Sequence, residues 1–389
     1  MRVLVVGCGP LPGPGVSQTH MSQLRTAVFL RVLREAGHEV RGVLLGGGTP
    51  DEERDLHVAS MEGESDRDRL VELARDREVL VSVGAYAPGR VVVHLAEDRP
   101  CWIDIPGDPM AELRAVAEQG PVAMTRVSAA LEAYLPVLQR ADAMGVVGVP
   151  QRHALMGQLG LVGRLHGRAP PIHITPVPYE FPGQQRSART RSVNEPLAVL
   201  LAGGFNAWLD DRAMTAALEA SLSSLEQLEV HCTGGAIPGH FEAGYARFLE
   251  WAGSTRFGDR IHVHGWLPER ELGDVVESCH VGLFLDRPGW EPTLGSRTRL
   301  MWFVHQGLEP IHNSDCALAR ELASEALVPV LPDAFPGTIE RALVHRVASE
   351  GAGPAIGRAQ SWLARRFSPE SVVAPLLEWL HSPDRADAL

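Results

Sequence analysis

Hydrophobic residues along the chain form short continuous runs separated by longer amphipathic segments. The intervening segments, such as 22–36 and 269–279, have the apolar spacing of helices that cover one face of a sheet. Continuous apolar runs are typical of strands buried on both faces of a parallel sheet. Such runs occur at 2–7, 40–45, 101–105, 197–202 and 281–286. The alternation predicts an α/β fold built from doubly wound, Rossmann-like units.

The length of the chain predicts two domains. Its 389 residues exceed the size of one ordinary hydrophobic core. A polar segment rich in Arg and Ser occupies 183–195, and a new strand follows it. We therefore predict a first domain at 1–182, a linker at 183–195 and a second domain at 196–367.

Composition excludes several classes of protein. Hydrophobic residues make up 45% of the chain and charged residues 22%, which is typical of a globular protein. No apolar run approaches the roughly 20 residues that span a bilayer, so at most peripheral membrane contact is expected. The N-terminus predicts a first strand and no signal peptide, which favours a cytoplasmic location. A net charge of −12 argues against nucleic acid as a partner.

Two further features narrow the chemistry. The five cysteines are scattered without a CxxC pair, so neither a disulfide framework nor a cysteine zinc site is predicted. The sequence contains no lysine, which excludes a Walker-type phosphate loop. The loop at 7–15 follows the first strand, but it does not have the GxGxxG pattern of dinucleotide-binding enzymes. Any phosphate site must therefore use arginine, backbone amides or helix termini.

The stretch from Trp290 to Leu300 is the best candidate for such a site. It follows a predicted buried strand, and Gly295 and Ser296 are predicted to open a helix. The free N–H groups and partial positive charge of a helix start favour an anion, and two arginines follow at Arg297 and Arg299. An ordinary β-loop-α-β unit without a ligand has the same pattern.

The sequence resembles GT-B glycosyltransferases, particularly family 4. The resemblance rests on the order of several segments along nearly the whole chain. These are a Gly-His-Glu-Val turn at 37–40, a Gly-Trp-Leu-Pro turn at 265–268, the glutamate loop around Glu291 and a Gly-Leu turn at 307–308. It implies two Rossmann-like domains that face a central cleft, with residues 368–389 packing back on the first domain.

The resemblance also implies a function. A sugar would pass from a nucleotide-diphosphate sugar to an acceptor hydroxyl on a polysaccharide, a glycolipid or a small molecule, without a metal or another cofactor and with retention of configuration. Self-association is left open. The donor-binding residues it implies are Gly13, Arg25, Gly204, Asn206, Gly265, Trp266, Leu267, Glu291, Leu294, Gly295, Ser296, Arg297 and Arg299. Glu291 is also a candidate catalytic residue.

This sequence departs from the family at one point. A second acidic residue usually follows the first glutamate, but the two positions tested by counting hold Arg299 and Trp302. The alternative hypothesis is therefore a catalytically inactive, glycosyltransferase-like binding or partner subunit. A sugar-nucleotide 2-epimerase shares the architecture, but too few acid/base residues are present to favour it.

Several residues have two interpretations. Asp104, at the end of a predicted strand, is a candidate catalytic residue that contacts a sugar hydroxyl or accepts a proton, while Asp108 is predicted to cap the helix that begins at Pro109. Arg25 either binds phosphate or lies exposed on its helix, and Arg299 either binds phosphate or forms a surface salt bridge. Residues 91–94 fit a strand or a helix.

Two histidines alternate along a predicted strand. His262 and His264 would lie on one face of it, but no third ligand is near them in the sequence. They are predicted to be structural, and no metal site is predicted.

Overall fold

The computed structural model describes residues 1–13, 15–60, 64–119, 123–165, 169–192, 195–237, 241–348 and 353–386. The described residues form two separate parallel sheets, of seven and five strands. The predicted α/β class is therefore confirmed. Helices connect most successive strands, and the segment 46–55 joins two parallel strands of the first sheet without a helix.

The first sheet contains strands from the first half of the chain in the order β3-β2-β1-β4-β5-β6-β7. All of its neighbouring strands are parallel. The strands are β1 (Arg2–Cys8), β2 (Glu39–Leu45), β3 (Leu56–Ala59), β4 (Val79–Val83), β5 (Cys101–Ile105), β6 (Ala143–Val146) and β7 (Ile172–Ile174). The helices are α1 (Met21–Glu35), α2 (Glu64–Ala74), α3 (Ala87–Ala96), α4 (Pro109–Ala117), α5 (Ala123–Arg140) and α6 (Val149–Leu161). Residues 91–94, for which strand and helix were both open, lie in α3.

The second sheet has the order β10-β9-β8-β11-β12, again with all neighbours parallel. Its strands are β8 (Leu197–Gly204), β9 (Leu228–Gly235), β10 (Ile261–Gly265), β11 (Val281–Phe284) and β12 (Glu309–His312). The helices are α7 (Asp211–Ser224), α8 (Ala243–Ser254), α9 (Glu269–Ser278), α10 (Trp290–Leu294), α11 (Thr298–His305), α12 (Ala317–Ser324), α13 (Pro336–Ala348), α14 (Gly353–Arg366) and α15 (Pro369–Leu380). None of the described helices is both long and apolar enough to cross a membrane.

Each sheet reverses its direction of winding at one place. In the first sheet this place lies between β1 and β4, and in the second it lies between β8 and β11. Loops that leave the carboxyl ends of such strand pairs diverge and open a crevice, which is where ligands bind in doubly wound sheets. The segment after β8 and the segment after β11 therefore share one crevice.

The last helix returns to the first domain. Apolar side chains of α15, including Val373 and Leu376, pack in one cluster with residues of β1 and α1. The indole rings of Trp379 in α15 and Trp102 in β5 lie 5.7 Å apart. The chain therefore crosses between the domains twice, and the Tyr179 amide of the first crossing donates to the Phe367 carbonyl of the second at 2.8 Å.

Candidate functional site

The two domains face each other across a groove at the carboxyl ends of their sheets. One wall comes from α4 and includes Ala111 and Arg114, and the other comes from 207–208 and 287–292. The Arg114 guanidinium lies over the ring of Trp290, 4.5 Å from its centroid. Ser296 of the second domain donates from Oγ to Sδ of Met21, the first residue of α1, at 3.4 Å. The predicted donor segment is thus adjacent to the first domain.

Glu291 is buried and held by an arginine. Arg297 donates from Nη1 and Nη2 to the two carboxylate oxygens of Glu291 at 3.0 and 2.6 Å, and from Nε to Asp286 at 2.7 Å. Burial raises the pKa of Glu291, and Arg297 opposes this rise. Since two carboxylates occupy the donors of Arg297, this residue orients Glu291 and has no full charge left for a phosphate.

Arg299 occupies a different environment. Its Nη2 donates to the Gly204 carbonyl at 2.7 Å, at the glycine turn that ends β8. A Cβ on Gly203 would lie 3.3 Å from the same nitrogen, and Gly203 has φ of +87°, which favours glycine. The alternative of a surface salt bridge is wrong, because Arg299 is partly buried and donates to a backbone carbonyl.

Burial lowers the pKa of Arg299 to about 10. The guanidinium therefore remains protonated at neutral pH, and an anion beside it would restore the pKa. The sequence showed no arginine or lysine at the glycine turn, but the fold brings one there from α11.

The predicted helix after Glu291 begins later than expected. The short helix α10 includes Glu291 and Leu294 and ends where the Gly295 amide donates to the Glu291 carbonyl at 2.8 Å. The longer α11 then starts at Thr298 with Arg297 as its N-cap, and no side chain caps it. Gly295 and Ser296 therefore lie in the connection between two helices. A Cβ on Gly295 would lie 2.6 Å from Oε1 of Glu291, so this glycine makes room for the carboxylate.

Arg25 and Asp104 require a correction. Both side chains have no exposed surface, and Arg25 donates from Nε and Nη2 to the Asp104 carboxylate at 2.8 and 2.6 Å. Arg25 also donates to the Thr175 and Pro176 carbonyls at 3.1 and 2.5 Å. The predictions of a catalytic Asp104 and a phosphate-binding Arg25 are not supported, because each charge is satisfied by the other in the interior. The exposed position considered for Arg25 is wrong as well.

The first domain contributes one carboxyl group that the sequence argument missed. Asp108 caps α4 as predicted, accepting from the Ala111 amide at 2.8 Å. Glu112 lies in the first turn of the same helix, and burial, then the charges of Glu291 and Asp108, raise its pKa to about 8. Glu112 thus brings a neutral carboxyl group toward Glu291 across the groove. The sequence feature that could have identified Glu112 is its position in the first turn of a helix that follows a central strand.

The remaining predicted residues lie in loops and turns at the strand ends. Trp266 donates from Nε1 to the Ala236 carbonyl at 3.1 Å, which joins the turns after β10 and β9, and Gly265 has φ of +69°. Leu267 is partly exposed beside Trp266, as is Asn206 after the glycine turn. Gly13 lies in the loop after β1, where a Cβ would meet no atom within 4 Å.

The histidines of β10 have neighbours that the sequence did not show. His262 lies opposite His231 in the register of β10 and β9, and Glu229 lies two residues before His231. The fold therefore brings further candidate ligands near them that are distant in the sequence. Their geometry is described below.

Comparisons with known proteins identify the fold. No family model and no curated protein matches the chain. Sucrose-phosphate synthase from Thermosynechococcus elongatus is 14% identical over 98% of this chain and 98% of its own, with a TM-score of 0.68. Anabaena HepE, solved in complex with UDP and glucose, is 12% identical over 98% of this chain and 100% of its own, with a TM-score of 0.64. AviGT4, a glycosyltransferase involved in avilamycin A biosynthesis, is 17% identical over 98% and 97%, with a TM-score of 0.56.

These similarities extend over both domains and the last helix. The chain therefore has the GT-B fold, and the predicted fold is confirmed. At 12 to 17% identity, the likeness establishes architecture and leaves the reaction to be argued from the site.

Proposed function

We propose that this chain is a glycosyltransferase that takes a sugar from a nucleotide-diphosphate sugar, with a UDP-sugar as the first candidate. The observation that carries the proposal is the position of Arg299. Its guanidinium reaches the glycine turn of β8 at the winding reversal of the second sheet. This crevice is where a doubly wound sheet binds a nucleotide, and HepE of the same fold was solved with UDP.

Three groups would hold the diphosphate. The first N–H groups of α11 have no capping side chain, so they are available to an anion. Gly203 and Gly204 allow phosphate oxygens to approach the backbone of the turn. Arg299 supplies the positive charge that offsets the charge developing on the leaving group, which is the role of a metal in other transferases. The proposed transfer therefore needs no metal in the cleft.

Two carboxyl groups would position the sugar. Glu291, fixed by Arg297, accepts hydrogen bonds from sugar hydroxyls, while Glu112 is protonated at neutral pH and offers an O–H donor. They come from different domains, so domain closure would bring both onto the substrate. Retention of configuration is part of the proposal because it is the outcome the family resemblance implies.

A second candidate function is favoured by the same residues. Arg299 stands where a second acidic residue is expected, and Arg297 neutralises Glu291. Both features suit a protein that binds a nucleotide sugar without transferring the sugar. Such a binding or partner subunit would use the same crevice.

The proposal is tested by thermal unfolding with UDP, GDP, ADP, dTDP and their sugar conjugates. Ligands that bind the folded state raise its melting temperature by mass action. We expect one nucleotide family to raise it, and we expect Arg299→Gln and Glu291→Gln to abolish this effect. The matched control is Arg358→Gln, an exposed arginine on α14, which should keep the full shift.

Transfer of radiolabelled sugar to a panel of acceptors then separates the two candidates. Binding with transfer supports the transferase, and binding without transfer or donor hydrolysis supports the partner subunit. No melting shift with any nucleotide at millimolar concentration would overturn both.

A further inference from the structure

Four polar side chains form a cluster on one face of the edge of the second sheet. His231 and Glu229 come from β9, and His262 and His264 come from β10. Strand residues two apart point to the same face, and His262 lies opposite His231 in the register. The His231 ring centroid is 4.7 Å from that of His262 and 5.4 Å from that of His264.

One ring nitrogen in this cluster lacks a hydrogen-bond partner. Nδ1 of His231 lies 3.1 Å from Nε2 of His264, a hydrogen-bond distance. The other ring nitrogen of His231, Nε2, is buried and has no hydrogen-bond partner. It lies 3.8 Å from Oε2 of Glu229. This separation is too long for a hydrogen bond. In either tautomer a buried polar atom is therefore unsatisfied, which is rare in folded proteins.

A cation would satisfy that atom. Glu229, His231 and His262 each offer one ligand atom, and these atoms all lie within 4.8 Å of one another. Two imidazoles and one carboxylate, with a fourth position for water, form a known ligand set for zinc. Small side-chain rotations would bring the atoms to the roughly 2.0–2.2 Å from a central ion that zinc requires, and Glu229 and His262 are partly exposed and free to make them.

His264 completes the arrangement. If His231 donates its Nδ1–H to Nε2 of His264, Nε2 of His231 carries a lone pair that points to the ion. Metal-binding histidines are usually oriented by such a second hydrogen bond.

We propose that Glu229, His231 and His262 bind a divalent transition-metal ion, with zinc as the first candidate, and that His264 is a positioning residue for His231. β10 is an edge strand of its sheet. The ion would fasten β10 to β9 and stabilise the second domain. The ligands precede the glycine turns at the carboxyl ends of the strands, so the site is separate from the proposed sugar-nucleotide crevice and does not depend on it.

The test uses the full chain without an affinity tag, stripped with a chelator and dialysed. Zinc is titrated in competition with a chromophoric chelator, and cobalt is titrated in parallel by visible absorption. We expect one bound ion per chain and a higher melting temperature with zinc. We also expect bound cobalt to show the visible absorption bands of a site with a low coordination number. His262→Ala and Glu229→Gln should abolish the site, and His264→Ala should weaken it by about 10- to 100-fold.

His153→Ala is the matched control, because His153 is exposed on α6 in the other domain. It should bind zinc like the unaltered protein. If the His231→Ala variant does not fold, zinc binding by the Glu229→Gln variant decides the test, because Glu229 is partly exposed and its substitution leaves the core intact. A zinc site that survives both Glu229→Gln and His262→Ala, or no stoichiometric binding at micromolar zinc, overturns the proposal. The nucleotide-induced melting shift is measured on the same variants, so failure of the metal site is distinguished from failure of the crevice.

Discussion

Arg25 and Asp104 show how a residue with functional chemistry becomes part of the scaffold. They lie on α1 and β5, 79 residues apart, and form a bidentate pair with no exposed surface. Thr175 Oγ1 also donates to Asp104 at 3.1 Å. The pair therefore fixes the start of α1 against the carboxyl ends of β5 and β7. By contrast, the sequence indicated no role for Glu112, but its pKa is raised, as is common at functional sites.

Asp104→Asn should destabilise the protein by about 3–5 kcal/mol, because it leaves the Arg25 charge buried without a carboxylate. Urea unfolding measures the loss. Asp98→Asn is the control, since Asp98 forms an exposed pair with Arg385 and should change stability by no more than about 0.5 kcal/mol. A loss below about 1 kcal/mol for Asp104→Asn, with nucleotide binding abolished, would return Asp104 to the functional site.

Glu112→Gln should stabilise the protein increasingly as pH rises. The pKa of Glu112 is about 8 in the folded state and about 4.3 in an unfolded chain. Between these values the folded state holds a proton that the unfolded state has lost, so the stability of the unaltered protein falls with rising pH. Above pH 8 we expect glutamine to be more stable by about 1–3 kcal/mol, allowing for partial exposure.

Urea unfolding of both proteins at pH 5, 7 and 9 tests the dependence on Glu112. Glu118→Gln, which changes an exposed carboxyl on the same helix, is the control and should show no such trend. A difference between Glu112→Gln and the unaltered protein that does not vary with pH would contradict the expected pKa.

At the scale of elements, the site depends on how closely α11 packs against β11. Gly282 in β11 faces Phe303 in α11, and a Cβ on Gly282 would lie 2.3 Å from the Phe303 ring. This close approach sets the position of α11, and with it Arg297 at its N-cap and Arg299 in its first turn. The missing side chain of one strand residue therefore places both arginines.

Gly282→Ala should displace α11, because the ring of Phe303 has no room to move in the core. Overpacking of this kind costs about 1–3 kcal/mol. Nucleotide affinity should fall as well, which melting shifts with UDP would measure. Gly253→Ala in α8 is the control, since a Cβ there meets nothing within 4 Å, and it should keep full affinity. Unchanged affinity in Gly282→Ala would show that the site does not depend on this packing.

At the scale of the molecule, both chain crossings between the domains lie together. The hydrogen bond between Tyr179 and Phe367 joins them. The domains also meet at the groove, where Arg114 covers Trp290 and Ser296 reaches Met21. Rotation about the two crossings would open this groove to a nucleotide sugar and close it again.

We therefore expect the ligand-free protein to have a larger radius of gyration than the protein saturated with its nucleotide sugar. Small-angle X-ray scattering measures the difference. Arg299→Gln serves as the control and should remain in the open form at the same ligand concentration. An unchanged radius, at a concentration where melting shifts show full binding, would mean that the domains do not close.

The sequence by itself determined most of the secondary structure and the α/β architecture. Strand length, helical periodicity and the cap at Asp108 depend on residues close together in the chain, so the alternation of strands and helices was readable. The resemblance to GT-B glycosyltransferases, which rests on the order of several motifs along the chain, also implied the GT-B fold. The extra break between α10 and α11 was missed because the Glu291–Arg297 pair, which spans it, is a side-chain contact and leaves no mark in the hydrophobic pattern.

Only the tertiary structure decided which polar groups from distant parts of the chain contact each other. Arg25 pairs with Asp104, Arg299 reaches Gly204, and His231 meets His264, across 79, 95 and 33 residues respectively. Parallel strand register and winding direction create these contacts, and neither is specified by the spacing of any one segment. For that reason the sequence indicated a phosphate site and left its arginine unassigned, and it showed two histidines without their third and fourth partners.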